Sequence, residues 1–244
     1  MKLQHYLKQF DRLAVAVSGG ADSACLLREA AAALGQERVL AVTVQTELLP
    51  ARRLRMAKRM AELAGVEHVV LQKEALEDAG IRQNGALRDY YYHRLILQAV
   101  LDEAWVRGCE HVADALHTDD TARACVQAAQ ELHTHSPFAD CGMGVFQVSA
   151  LRKGMGGDAA QGEGNLANRL PADMPLTYEM LSRIDEAEEE LFRLGLTTAR
   201  VVVEGESARI LVGETEKDRY HTLVERAKSA AEKAGFGVME EPAE

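Results

Sequence analysis

The stretch Leu13-Ala14-Val15-Ala16-Val17-Ser18-Gly19-Gly20-Ala21-Asp22-Ser23 carries the strongest structural signal in the chain. Its five apolar residues predict a buried strand, Gly19-Gly20 predicts a tight turn, and the apolar pattern from Ser23 to Leu34 predicts a helix. A glycine turn lets backbone N–H groups close on an anion, and the helix N-terminus adds partial positive charge. The stretch therefore predicts an anion site between a strand and a helix. An ordinary structural turn is the alternative.

The pattern Ser-Gly-Gly-x-Asp-Ser lacks the Gly-Lys-Ser/Thr end of a Walker A loop and the spacing of the dinucleotide fingerprint. It resembles the PP-loop of the ATP pyrophosphatases, which split ATP into AMP and pyrophosphate while they adenylate a substrate. The resemblance implies that ATP and Mg²⁺ bind here. We expect the hydroxyls of Ser18 and Ser23 and the N–H groups of Gly19 and Gly20 to bind the phosphates. Asp22 is expected to hold Mg²⁺ and to act in catalysis, with a helix-dipole role as the alternative.

Apolar segments alternate with helical patterns over residues 1–150. Strands are predicted at Leu13–Val17, Arg38–Gln45, His68–Leu71 and His111–Asp114, and helices at Ser23–Leu34, Ala51–Ala64, Asp89–Arg107 and Asp120–Leu132. This alternation predicts an α/β fold with a parallel, doubly wound sheet. Ligands of such folds bind at the carboxyl ends of the strands, where the loop at Ser18–Ser23 falls.

Three parts are predicted along the chain: a nucleotide-binding domain over residues 1–150, a glycine-rich linker or lid over residues 151–176, and a small α+β lobe over residues 177–244. The glycines of the linker cluster in Gly154–Gly164. In the lobe, Thr177 is expected to cap a helix that ends at Gly195, with the acidic run Asp185–Glu190 as its solvated face. A strand, a second strand, a helix and a last strand are predicted at Ala199–Glu204, Ala208–Val212, Glu216–Ala234 and Phe236–Met239.

The formal net charge is −10, from 28 basic and 38 acidic residues among 244. Nucleic-acid binding requires a basic surface, so we expect a small-molecule substrate and no nucleic-acid partner. The basic run Arg52–Arg59 is interpreted as the solvated face of a helix. The chain has no long apolar run and no leader pattern, which predicts a cytoplasmic protein without a membrane partner. Its four cysteines match no metal-binding spacing and are expected to be reduced thiols.

Further motifs follow the loop in a fixed order. They are Ala41-Val-Thr-Val44, Leu49-Pro50, Val112-Ala-Asp114, Thr118-Asp-Asp120, Ser136-Pro137, Leu166-Ala-Asn-Arg169, Pro175-Leu-Thr177, Glu186-Ala-Glu188, Leu194-Gly195 and Ala208-Arg-Ile210. Together they resemble, over nearly the whole chain, the LarE group of ATP-dependent sulfur transferases. Members of that group adenylate the carboxylate of a pyridinium nucleotide precursor on the PP-loop and then transfer sulfur to it. The resemblance implies the same first step on a small carboxylate substrate here, and it suggests a homo-oligomer.

The chain departs from this group at three places. Asn165 occupies the position of the cysteine that gives up its sulfur, and an asparagine amide has no sulfur to donate. The group's Arg-Cys-Tyr-x-Cys-Lys element appears as Arg88-Asp-Tyr-Tyr-Tyr-His93, and its Asp-Gly-Thr-Asn element as Asp114-Ala-Leu-His117. These departures leave the predicted nucleotide binding in place but remove sulfur donation from the usual position. Another cysteine of the chain, a persulfide partner or free sulfide are the alternatives.

Four residues outside the loop complete the expected site. The resemblance implies that Thr43 contributes to nucleotide binding. Asp119 and Asp120 come between a strand and a helix, and we expect Asp119 to act in catalysis and Asp120 to hold Mg²⁺, with helix capping as the alternative. Arg169 is expected to bind a phosphate or carboxylate of the substrate, with an ordinary salt bridge as the alternative.

These expectations define an enzyme that binds Mg-ATP and adenylates a small carboxylate with release of pyrophosphate. Two alternatives remain at this point. One is a protein of the same fold that binds AMP or ATP without turnover, and the other is an amide-forming or tRNA-modifying ligase.

Overall fold

A four-stranded parallel sheet organises the first part of the chain. The computed structural model describes residues 2–120, 124–153, 164–205 and 207–238. The strands are β1 (Leu13–Ala16), β2 (Val39–Gln45), β3 (Glu67–Gln72) and β4 (Val112–Ala113), and their order across the sheet is β3-β2-β1-β4. Every neighbouring pair is parallel. The predicted α/β class and parallel sheet are confirmed.

Helices cover this sheet and its edges. They are α1 (Leu3–Leu7), α2 (Ala21–Leu34), α3 (Ala51–Ala64), α4 (Ala79–Arg82), α5 (Arg88–Val106), α6 (Ala124–Glu131), α7 (Pro137–Asp140) and α8 (Val145–Arg152). The prediction of one helix over residues 120–132 is only partly correct. Asp120 ends a separate 3₁₀ turn, Thr118–Asp120, residues 121–123 lie outside the described part, and α6 is described from Ala124.

Apolar side chains on both faces of the strands explain the two-sided cover. Successive residues of a strand point to opposite faces, so a strand buried on both sides is apolar at nearly every position. Leu13 and Val15 of β1 pack in one cluster with Leu26 and Leu27 of α2. Ala14 of β1 and Leu40, Val42 and Val44 of β2 pack in another cluster with Leu97 and Val100 of α5. The sheet is therefore the middle layer of three.

The C-terminal part forms a small second sheet with two helices, as predicted. Its elements are α9 (Tyr178–Arg193), β5 (Arg200–Glu204), β6 (Ser207–Leu211), α10 (Lys217–Lys233) and β7 (Gly237–Val238). Strands β5 and β6 are antiparallel, and β7 joins β6 in parallel. The Thr177 hydroxyl accepts a hydrogen bond from Met180 N at 3.2 Å, which confirms the predicted cap of α9. Glu206 of the predicted turn and Met239 of the predicted last strand lie outside the described residues.

The segment predicted as a linker or lid is described in part. Its glycine-rich stretch, residues 154–163, lies outside the described residues. The following residues form a 3₁₀ helix, Leu166–Arg169. Leu166, Ala167 and Leu176 are buried in the apolar cluster that also holds Leu48. The described end of this segment is thus packed in the same apolar cluster as Val201 and Val203 of the second sheet. No helix in the described ranges is long and apolar enough to cross a membrane.

Strand order also locates the crevice of the fold. From β1 the chain moves outward to β2 and β3, and it then returns to the other side of β1 with β4. In open α/β sheets a crevice forms at the carboxyl ends of the two strands where the order reverses. Here those ends are Ala16 and Ala113, which precede Ser18–Ser23 and Asp114, respectively.

Candidate functional site

A cleft of about 340 Å³ lies at this crevice. Its polar lining includes Ser18, Asp22, Arg53, His93 and Asp114. Apolar residues form the rest of the wall, among them Ala16, Val42, Val44, Ile96 and Leu116. Small-ligand sites are mostly apolar concavities with a few convergent polar groups, and their volumes run from about 300 to 1,000 Å³. The cleft is therefore the candidate binding site.

The glycine loop (Ser18–Ser23) forms one end of the cleft, and its glycines are required by close packing. Gly19 has φ of +73°, and a Cβ atom there would lie 2.0 Å from the carbonyl oxygen of Arg53. Gly20 is the N-cap residue of α2 and has no side chain to cap the first N–H groups of the helix. Those N–H groups have no partner within the helix. The loop thus brings the N-terminus of α2 to the cleft.

Arg53, from the first turns of α3, lies directly on this loop. Its guanidinium donates hydrogen bonds to the carbonyl oxygen of Ser18 at 3.0 Å, to the Ser18 hydroxyl at 3.1 Å and to the carbonyl oxygen of Gly164 at 3.0 Å. A Cβ atom on Gly20 would lie 2.3 Å from its Nη2 atom. A cation and a helix N-terminus therefore meet at one end of the cleft, which favours an anionic ligand there.

The remaining polar groups of the loop hold its conformation. The Ser23 hydroxyl donates to the carbonyl oxygen of Gly20 at 3.0 Å and accepts from Ser18 N at 3.3 Å. Behind the loop, the Thr43 hydroxyl donates to the carbonyl oxygen of Val17 at 2.7 Å. Thr43 was expected to contribute to nucleotide binding, but it does not line the cleft, because its neighbours Val42 and Val44 point there and strand residues alternate. Its contact supports the strand end that leads into the loop.

Asp22 lines the cleft and forms an ion pair across it. Its Oδ1 atom lies 2.9 Å from Nη1 of Arg152, at the end of α8, and 37% of its side chain is exposed. Ser149 also binds this arginine, accepting from Nη2 at 2.8 Å. Asp22 therefore reaches the cleft as expected, with a positive partner beside its carboxylate.

The opposite wall of the cleft carries His93 and Asp114. Nε2 of His93 lies 3.5 Å from Oδ2 of Asp114, and the side chain of Asp114 is 4% exposed. The other carboxylate oxygen, Oδ1, accepts from Leu116 N at 3.1 Å and from the Ser136 hydroxyl at 2.8 Å. Tyr92, the neighbour of His93 on α5, also lines the cleft, and burial raises the pKa of its hydroxyl.

Asp119 and Asp120 are not brought to the cleft. Asp119 is 60% exposed and accepts a hydrogen bond from Val145 N, the first residue of α8. Asp120 is buried and accepts from His117 N at 3.1 Å. Neither carboxylate lines the cleft beside Asp22, so the structure does not assemble the expected pair of Mg²⁺ ligands from Asp22 and Asp120. In the described part of the chain, no group of three or more His, Cys, Asp and Glu side chains is arranged to hold a metal.

Arg169 lies in the core instead of at the cleft. Its side chain is 1% exposed, and its Nε atom lies 2.8 Å from Oε1 of Glu188, which is also 1% exposed. Arg52 binds the same carboxylate, with Nη2 at 3.2 Å from Oε2. The guanidinium of Arg169 is therefore enclosed in the core and paired with Glu188, which fits the salt-bridge alternative. The runs Arg52–Arg59 and Asp185–Glu190 were both predicted to be solvated helix faces. That prediction is wrong for Arg52 and Glu188, which are buried, whereas Arg55 and Glu190 are exposed.

The cysteines do not contribute to the cleft lining. All four lie in the described part of the chain, and Cys25 and Cys109 are buried while Cys125 and Cys141 are partly exposed. Burial raises the pKa of the Cys25 thiol to about 11, so this thiol is neutral near pH 7 despite its place on the first turn of α2. The cleft lining includes Gly164, the residue before Asn165. Among the described residues that line the cleft, none carries a sulfur atom.

Sequence reasoning missed most of the polar lining beyond the glycine loop. Arg53, His93, Asp114 and Arg152 were not predicted as site residues. Arg53 had one usable signal, since it follows Leu49-Pro50 at the carboxyl end of the strand beside β1. The others come from separate helices and strands and become neighbours only through the sheet order.

Comparison with known proteins gives two similar chains. An uncharacterized protein of Synechocystis sp. is 29% identical over 212 residues, which cover 85% of this chain and 79% of that protein. The pyridinium-3,5-bisthiocarboxylic acid mononucleotide synthase of Lactiplantibacillus plantarum is 26% identical over 234 residues, which cover 94% of this chain and 85% of that enzyme. No family profile matches the chain.

The sheet order and the glycine loop at the reversal point define a doubly wound α/β protein of the PP-loop-like kind. The similarity to the synthase covers most of both chains, and together with the fold it supports the resemblance to the LarE-like group of PP-loop proteins.

Proposed function

We propose that this protein binds Mg-ATP in the cleft and adenylates a small carboxylate with release of pyrophosphate. One observation carries the proposal: the N-terminus of α2 and the guanidinium of Arg53 converge on the glycine loop at one end of a cleft of about 340 Å³. Two sources of positive charge at one point suit a chain of phosphates better than a neutral ligand.

The proposed reaction depends on charge placed where pyrophosphate leaves. The substrate carboxylate attacks the α-phosphorus of ATP, an oxygen–phosphorus bond forms, and the bond to the β-phosphate oxygen breaks. The leaving pyrophosphate takes the electron pair. N–H groups at the start of α2, the Ser18 hydroxyl and Arg53 are positioned to stabilise that negative charge, and such preorganised donors supply much of the catalysis of group transfer.

Asp22 is the residue of the cleft that suits a metal accompanying the phosphates. Mg²⁺ takes few carboxylates and keeps several waters, so one aspartate beside the phosphate site is compatible with it. The ion pair with Arg152 occupies Oδ1 of this carboxylate, at 2.9 Å. When bound, Mg²⁺ would neutralise phosphate charge. We place Asp22 as its protein ligand and give no role in metal binding to Asp120.

Sulfur transfer, if it follows adenylation, requires a donor from outside the described cleft. Asn165 carries no sulfur, and none of the four cysteines lines the cleft. The related synthase is named for a bisthiocarboxylic acid product, which motivates a thiocarboxylate as the final product here. We therefore propose an external donor: free sulfide, which displaces AMP from the acyl adenylate, or a persulfide partner, whose acyl disulfide product is then reduced by a second thiol. Intact-protein mass spectrometry after turnover tests this, because loss of a sulfur mass from the chain would contradict an external donor.

A second candidate is nucleotide binding without turnover. It is favoured by the position of Asp119 and Asp120, which bind backbone N–H groups of Val145 and His117 away from the cleft. Pyrophosphate release separates the two candidates. The enzyme is to be incubated with Mg-ATP and a panel of carboxylates that includes pyridine carboxylates. Release above the ATP-only control with one member supports adenylation, and bound ATP that remains intact with every member supports the binding protein.

A further inference from the structure

His93 and Asp114 face each other in the cleft with unused hydrogen-bonding atoms. Nε2 of His93 and Oδ2 of Asp114 are both buried, and neither has a hydrogen-bond partner among the residues that the structure describes. The two atoms are 3.5 Å apart. Buried polar atoms in proteins are nearly always paired, so an unpaired set in a cleft points to a ligand that completes it.

The Asp114 carboxylate is fixed in place by its other oxygen. Oδ1 accepts from Leu116 N at 3.1 Å and from the Ser136 hydroxyl at 2.8 Å, and the side chain is 4% exposed. His93 is held on the long helix α5, which packs against β1, β2 and β4. Both groups are therefore preorganised, which reduces the entropy lost when a ligand binds them.

The position of His93 and Asp114 in the cleft indicates which part of a bound nucleotide they would contact. Asp114 follows β4, which lies beside β1, and β1 leads into the glycine loop. The cleft of about 340 Å³ is near the lower end of the range for small-ligand sites, about 300 to 1,000 Å³. With the phosphates of a nucleotide at the glycine loop, its sugar and base would occupy the rest of the cleft. The apolar wall at Val42, Val44 and Ile96 suits the base, and polar atoms are left for the sugar.

We propose that Asp114 and His93 hold the ribose hydroxyls of the bound nucleotide and so select ribonucleotides. Oδ2 of Asp114 accepts a hydrogen bond from one hydroxyl of the 2′,3′-diol, and Nε2 of His93 bonds to the other. A carboxylate at the carboxyl edge of a parallel sheet binds ribose in the same way in dinucleotide-binding folds. This inference rests on the proposed function, because it takes the nucleotide in the cleft as given.

The experiment is a calorimetric titration, in the presence of Mg²⁺, with ATP, 2′-deoxy-ATP and 3′-deoxy-ATP. We expect the wild-type protein to bind at least one deoxy analogue about 10- to 100-fold more weakly than ATP, because a buried charged acceptor is then left unpaired. The variant Asp114→Asn keeps Oδ1 and its two hydrogen bonds, but it replaces the acceptor Oδ2 with an NH₂ group, which is a donor. ATP should bind this variant nearly as weakly as the deoxy analogue binds the wild-type protein. The variant's preference for ATP over that analogue should fall below about 3-fold.

His93→Gln is the second variant. It should lose the preference for ATP over the analogue that lacks the ribose hydroxyl bound by His93. Asp89→Asn is the matched control: Asp89 lies one helical turn before His93 on α5, is 57% exposed and does not line the cleft. It should leave the preference unchanged.

Equal affinity of the wild-type protein for ATP and both deoxy analogues would overturn the ribose inference and leave the proposed function standing. An absence of ATP binding would overturn both, and neither result depends on whether a variant folds.

Discussion

The guanidinium of Arg53 donates hydrogen bonds to the carbonyl oxygen and the hydroxyl of Ser18, at 3.0 and 3.1 Å. This contact joins α3 to the glycine loop and sets a permanent cation beside the N-terminus of α2. Both contribute positive charge at the same end of the cleft, which favours an anionic ligand there. The contact between Ser18 and Arg53 is therefore the main structural support for a phosphate ligand at the glycine loop.

Substitution of Arg53 should weaken the binding of Mg-ATP. A hydrogen bond to a charged group contributes about 1.5–3 kcal/mol, so Arg53→Met should raise the Kd of Mg-ATP by about 10- to 100-fold in calorimetry. Arg53→Lys should recover part of the loss, since it keeps the charge but not the forked geometry.

Arg55→Met is the control for this variant. Arg55 lies on the same helix, its side chain is 54% exposed, and it pairs with Glu189 away from the cleft. Its removal should change the affinity for Mg-ATP by less than about 2-fold, as expected for an exposed ion pair. Equal losses in the two variants would show that general positive charge, and not the contact with the loop, attracts the ligand.

Gly19→Ala should destabilise the protein more than Gly142→Ala. The two glycines have nearly the same φ, +73° and +71°, but a Cβ at Gly19 meets the Arg53 carbonyl oxygen at 2.0 Å, whereas a Cβ at Gly142 meets nothing within 4 Å. The left-handed conformation costs about 1–2 kcal/mol in either variant. Overpacking against a backbone atom adds about 1–3 kcal/mol at Gly19 alone. Urea unfolding measures the difference, and equal losses would contradict the close contact of α3 with the loop.

Removal of Glu188 should destabilise the fold strongly. Its carboxylate binds Arg169 and Arg52 and accepts from Val201 N at 3.1 Å, with 1% of the side chain exposed. Glu188→Gln should lower the free energy of unfolding by about 3–5 kcal/mol, because Arg169 and Arg52 lose the charge of a buried carboxylate with which both pair. Glu189→Gln removes the exposed pair with Arg55 and should cost less than about 1 kcal/mol. A loss below about 1 kcal/mol in Glu188→Gln would contradict a strongly coupled buried ion pair at this position.

Stability should depend on pH through Glu216. Burial opposes ionisation of this side chain, but hydrogen bonds from Thr197 and Thr198 outweigh it and lower its pKa. A carboxylate whose pKa is lowered by folding stabilises the protein above its unfolded pKa, about 4.3, and this contribution is lost as pH falls through the lower folded value. The free energy of unfolding of the wild-type protein should exceed that of Glu216→Gln at pH 6, and the difference should shrink toward pH 3. A difference that grows on acidification would contradict the lowered pKa.

Local patterns predicted the fold well because its strands are buried on both faces. The run Val39-Leu-Ala-Val-Thr-Val44 is apolar at five positions, and the structure buries all six residues in β2. The glycine loop was also predictable, since its strand, turn and helix are contiguous in the chain. Thr177 and Gly195 bound α9 as their residue types suggest, with a side-chain hydrogen bond at one end and φ of +82° at the other.

The site beyond the loop could not be predicted in this way. Arg53, His93 and Asp114 lie on three elements, and only the placement of β4 beside β1 brings them to one cleft. Arg52 and Glu188 belong to charged runs that are typical of solvated helix faces, yet both are buried because α3 and α9 pack against each other there. Ion pairs between residues that are far apart in the chain leave no periodic pattern in the sequence, so the burial of these two charges could not be predicted.

Binding of the nucleotide itself is measured by calorimetric titration of the wild-type protein with ATP in the presence of Mg²⁺. We expect saturable binding of one ATP per chain, with pyrophosphate alone competing for the glycine-loop end of the cleft. A folded protein that shows no binding of ATP or AMP at millimolar concentrations would contradict this expectation.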